Sequence, residues 1–122
     1  MDPAESLRAC LAALEVGARE LEPDRWCVPV ACAGHPLEVE LGAHGQFVRA
    51  RAAVLPPGVI EPRQLLYWNA QAPLVCFAEN DAGEVLVCGE LPAGALEPEL
   101  LDRFLGLLVA SASRAREFAL AA

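Results

Sequence analysis

Residues 74–91 read LVCFAE, then NDAG, then EVLVCGEL. Two apolar-rich runs flank Asn80-Asp81-Ala82-Gly83. Asn and Asp side chains bond their own backbone in chain reversals, and Gly enters the left-handed conformation without a Cβ clash. The stretch predicts an antiparallel hairpin with strands over 74–79 and 84–91.

Upstream, residues 47–54 (FVRARAAV) alternate, with Val48, Ala50, Ala52 and Val54 opposite Phe47, Arg49 and Arg51. Residues 37–41 (LEVEL) set Leu37, Val39 and Leu41 inward and Glu38 and Glu40 outward. Residues 26–33 (WCVPVACA) read as another strand, with Trp26, Val28, Val30 and Cys32 on one face. Pro29 has no N–H to give to a ladder, which suits an edge position. Turns at 34–36 and 43–45 join these three strands into a meander. Pro56-Pro57-Gly58 breaks the sheet. A short helix follows from Glu61-Pro62 to about Gln71, carrying Leu65, Leu66, Tyr67 and Trp68.

Helices stand at both ends. Asp2 is placed to cap the first, Pro3 suits its opening position, and Glu5 completes a capping-box-like spacing. Leu7, Cys10, Leu11, Leu14, Ala18 and Leu21 recur at helical spacing, so this helix is expected to run until Pro23 ends it. The last helix starts near Pro98, with Glu97 and Glu99 at the positive end of its dipole. Leu100, Leu101, Phe104, Leu105 and Leu108 form its apolar stripe, and Arg114 and Arg116 lie near its C-terminal end. The order α-β-β-β-α-β-β-α implies one α+β domain over residues 1–122. Helices would pack on a five-stranded antiparallel sheet.

The net charge is −8 and the isoelectric point about 4.6. All nine cations are Arg, and they are scattered along the chain. Nucleic-acid binding needs a concentrated positive face, and an acidic surface is repelled by anionic membranes, so neither partner is expected. No stretch resembles a signal peptide or a membrane span. The five Cys lie inside apolar patterns without a C-x-x-C, which reads as structural thiols in a reducing cytoplasm.

Little in the chain resembles a catalytic machine. The three Ser are all in expected helices, there is no Thr, and the absence of Lys excludes a P-loop and a Schiff-base enzyme. Cys27, Cys32, His35 and His44 are metal-ligand types, but on a regular strand Cys27 and Cys32 face opposite sides. No metal or cofactor is expected. No cation or helix start adjoins Cys76 or Cys88 in sequence to activate a thiol. Tyr67-Trp68 is a different signal. Adjacent aromatics on a short helix cannot both face one core, and Tyr and Trp anchor interfaces. Trp26, Phe47, Arg49 and Arg51 could form a second, apolar-basic strip on the open sheet face.

Residues 65–118 resemble the YbjN-like proteins, which share a fold with the class I chaperones of type III secretion (the CesT family). The resemblance is carried by Leu65-Leu66-Tyr67-Trp68-Asn69 before a strand, the Asp81-Ala82-Gly83 turn, Leu91-Pro92, and the helix from Glu99 to Phe118. It covers under half of the chain. It implies a small acidic homodimer without catalytic residues, with dimer contacts on Leu65, Tyr67 and Trp68 and on the adjoining strands.

The expected function is a protein-binding chaperone or adaptor that holds a segment of a partner by strand addition or groove docking, with Trp26, Phe47, Arg49 and Arg51 as the candidate groove. A homodimeric regulatory protein binding a folded partner is the alternative. A Cys/His-dependent enzyme is a minor one.

Overall fold

The computed structural model describes residues 1–121. Helix α1 spans Pro3–Leu14. Strands β1 (Arg19–Glu22), β2 (Arg25–Val30), β3 (Leu37–His44) and β4 (Phe47–Leu55) follow, then helix α2 (Pro62–Asn69). Strands β5 (Val75–Glu79) and β6 (Val85–Pro92), one 3-10 turn and helix α3 (Pro98–Ala121) complete the order.

The sheet has six strands in the order β1-β2-β3-β4-β6-β5, every pair antiparallel. The sixth corrects the sequence expectation of five. Asp2 does cap α1, its Oδ1 accepting from the Glu5 N–H at 2.8 Å. The helix stops early, however, at Glu15, which sits in the left-handed region with φ 52°. Gly17 follows at φ 69°. Pro23 then belongs to a tight turn between β1 and β2 rather than to a helix end. Pro29 lies beyond the last β1 pairing, Arg19 with Cys27, so only β3 flanks it.

The expected hairpin forms. Gly83 has φ 82°, and Asn80 Oδ1 accepts from the N–H groups of Ala82 and Glu84 at 3.1 and 3.0 Å. Because α2 carries the chain from β4 to the far edge, β6 inserts between β4 and β5.

One sheet face is the core. Val28, Leu37, Val39, Val48, Ala50 and Val87 are fully enclosed there, beneath Leu7 of α1 and Leu101, Phe104 and Leu108 of α3. Gly89 lets α3 approach: a Cβ there would stand 2.6 Å from the Leu74 carbonyl oxygen and 2.8 Å from the Phe104 ring. Arg116, expected near the helix end on its dipole-favoured side, turns inward and is buried. Its guanidinium donates to the carbonyls of Val54 (3.1 Å), Ala33 (3.1 Å) and His35 (2.6 Å) and lies 3.0 Å from His35 Nε2. It thereby ties the 31–36 loop to α3.

Candidate protein-docking surfaces

Helix α2 packs along β5, the last strand of the sheet. Its two faces divide the residues read as an interface. Leu65 and Trp68 point inward and are buried, whereas Tyr67 is 59% exposed and Leu66 68%. Trp68 meets Phe118 edge-on with ring centroids 5.2 Å apart and Phe77 at 5.7 Å, and the Arg114 guanidinium lies 5.0 Å from its ring centre. Leu65 and Trp68 are therefore core, and the outward pair is Leu66 and Tyr67. Helical spacing alone separates positions 65 and 68 from 66 and 67. The same spacing sets Leu66 on the exposed side with Tyr67.

The outer edge of β5 is closed. Asn69 Nδ2 donates to the Phe77 carbonyl at 3.0 Å, and its Oδ1 accepts from the Phe77 N–H at 2.6 Å. The Val75 N–H goes to the Pro73 carbonyl at 2.7 Å. An incoming chain finds those groups occupied.

The opposite edge is open. Among the described residues no strand lies beyond β1, and all four residues of β1 are exposed. Beside it, between α1 and β1, runs a groove of about 380 Å³ whose lining includes Arg8, Leu11, Val16, Ala18, Glu20 and Trp26.

Trp26 does not join Phe47, Arg49 and Arg51. Its register partners are Leu41 and, through it, Ala50, which puts its buried ring on the helix-covered face, with the Arg8 guanidinium 5.4 Å from the ring centre. Phe47, Arg49 and Arg51 have the other parity and lie on the open face. The cations there are paired: Arg49 with Glu90 at 2.8 Å, Arg51 with Glu40 at 3.7 Å, and Arg25 with Glu40 at 2.6 Å.

One row crosses this face: Cys27, Glu40, Arg51, Cys88 and Cys76 are successive register partners. Cys27 Sγ donates to Glu38 Oε2 at 3.1 Å, and burial, then this carboxylate, pushes its thiol pKa up. Cys76 and Cys88 face each other with sulfurs 3.7 Å apart. Burial and then the neighbouring Cys76 push the Cys88 thiol up to about 11, against the opposing pull of Arg51. The cation absent beside these thiols in sequence arrives through strand pairing. Among the described residues no three Cys, His, Asp or Glu side chains converge as metal ligands.

No known family model matches the chain, and no curated protein matches it in sequence. Its fold does match solved structures. A chain of the HopA1-SchA chaperone-effector complex superposes with a TM-score of 0.71 at 16% identity, covering 93% of this chain and 91% of that one. A chain from the complex of the Yersinia pestis type III secretion chaperone SycH with a fragment of YscM2 gives 0.64 at 17%, covering 90% and 96%. YbjN from E. coli gives 0.73 at 16%, covering 93% and 91%. The chain thus has the fold shared by type III secretion chaperones and YbjN, as residues 65–118 suggested. At these identities the likeness defines the fold and nothing finer. Among the described residues no helix is long and apolar enough to cross a membrane.

Proposed function

We propose that this chain is a non-enzymatic chaperone or adaptor that holds a segment of a partner protein and acts as a homodimer. The observation that carries this reading is the fold likeness to chains solved within chaperone-effector complexes. The surfaces agree with it. One sheet edge is open beside an apolar-floored groove, while the other is closed by Asn69. An extended segment adding to β1 would gain backbone hydrogen bonds there and set alternate side chains toward Trp26 and Val16. Trp26 serves this reading as the buried floor of the groove. Phe47, Arg49 and Arg51 belong to the separate, ion-paired face.

Homodimer contacts are assigned to the outward side of α2, through Leu66 and Tyr67. Buried Leu65 and Trp68 hold that helix rigid beneath them. The likeness to YbjN favours a second reading, a regulatory homodimer that binds a folded partner. Limited proteolysis of a captured complex separates the two. A partner trimmed to one short protected segment supports the chaperone reading, and a partner protected as a whole folded domain supports the regulatory one.

A further inference from the structure

We propose that Cys76 and Cys88 form an oxidation site, a facing dithiol that a hydroperoxide converts to a disulfide across the β5–β6 hairpin. The two residues are direct register partners in an antiparallel pair. Such partners have Cα atoms about 4.5 or 5.5 Å apart, inside the range of about 4.4–6.8 Å that a disulfide spans. The sulfurs already stand 3.7 Å apart. Reaching the bonded distance of roughly 2.05 Å requires side-chain rotation rather than strand movement. Among the described residues no other thiol faces a second one: Cys10 is buried in the core, the Cys32 sulfur lies 3.3 Å from the Ser113 hydroxyl, and Cys27 is engaged by Glu38.

Exposure assigns the order of steps. Cys76 is exposed and Cys88 only partly so. The partly buried Cys88 is less accessible to a dissolved oxidant, so it is not the first to react. The Cys76 sulfur attacks one peroxide oxygen and the O–O bond breaks. This yields a sulfenic acid on Cys76, and the leaving oxygen takes the Cys76 thiol proton and departs as an alcohol, or as water when the oxidant is hydrogen peroxide. The Cys88 sulfur then attacks the sulfenic sulfur. The S–O bond breaks, and hydroxide leaves with the Cys88 proton as water. Two thiols lose two electrons, and the hydroperoxide gains them. The product ties the edge strand to β6 immediately beside Phe77, the residue that Asn69 clamps.

The test is exposure of the purified chain to hydrogen peroxide, blocking of free thiols, and non-reducing peptide mapping. Cleavage after Glu79 and Glu84 separates the two cysteines, so a disulfide appears as one linked peptide pair. The expected result is a single-chain mass lower by two hydrogen atoms, with Cys76 joined to Cys88 of the same chain and the bond reversed by dithiothreitol. In Cys88→Ser, Cys76 is expected to stop at sulfenic acid, trapped by dimedone. Oxidation to sulfinic or sulfonic acid without the internal link would overturn the proposal. So would links dominated by Cys10, Cys27 or Cys32.

Discussion

Asn69 takes both main-chain hydrogen-bonding groups of Phe77, so one side chain from α2 occupies the place a seventh strand would fill. The arrangement joins the Asn of the Leu-Leu-x-x-Asn stretch to the sheet. It also blunts an edge that would otherwise template pairing with another chain. The outcome is a sheet with one closed edge and one open edge.

Asn69→Ala should therefore act on stability and on edge chemistry together. It strands the partly buried N–H and C=O of Phe77, which costs about 1–3 kcal/mol. Urea denaturation is expected to show that loss, and amide exchange at Phe77 should speed up more than at Val87 on the central side of the hairpin.

Trp68→Ala should remove core packing rather than a contact surface. The ring meets Phe77, Phe118 and Arg114. A destabilisation of about 3–5 kcal/mol is expected in chemical denaturation. Tyr67→Ala and Leu66→Ala should change folding stability by under about 0.5 kcal/mol. If the outward side of α2 carries the homodimer, both should shift sedimentation toward monomer. Unchanged sedimentation would remove these residues from the interface.

Arg116→Met should destabilise the chain by about 3 kcal/mol, because three carbonyls on two segments lose a charged donor. Arg116→Lys should recover only part of this, since a single ammonium cannot reproduce the planar fork. Thermal unfolding of both variants checks it, and full recovery by Lys would contradict the geometry.

Gly89→Ala should be unfavourable by about 1–3 kcal/mol, although Ala is ordinarily tolerated in a strand. The added Cβ would stand 2.6 Å from the Leu74 carbonyl oxygen, a backbone atom, and 2.8 Å from the fully buried Phe104 ring. A melting temperature equal to the parent's would mean that α3 can lift from β6.

The β5–β6 hairpin was legible because Asn80 and Gly83 carry the turn in their own chemistry. Its register was not. Glu84 belongs to the turn, its N–H bonded to Asn80 Oδ1. This shifts the pairing by one residue from a strand that begins at 84. That single step sets Cys76 opposite Cys88 instead of Val87. The end of α1 was misread because Ala18 and Leu21 extend the helical spacing past Glu15 and Gly17. The following strand, RELE, shows no apolar alternation to announce itself. Arg116 sits one turn beyond Ala112 and two beyond Leu108 on the buried stripe, but its charge argued for solvent. The division of Leu66 and Tyr67 from Leu65 and Trp68 was available from helical period alone. The placement of Trp26 away from Phe47 required strand register.

The most direct measurement is capture of the tagged chain from its native host, run in parallel with Val16→Asp, which charges the groove beside β1 at a partly exposed position. Bound proteins are identified and quantified by mass spectrometry and trimmed by limited proteolysis. The expected result is one partner stoichiometric with the parent chain, protected as a single short segment, and its loss from Val16→Asp with folding intact. Recovery of the parent chain with only copies of itself would contradict the partner-holding role.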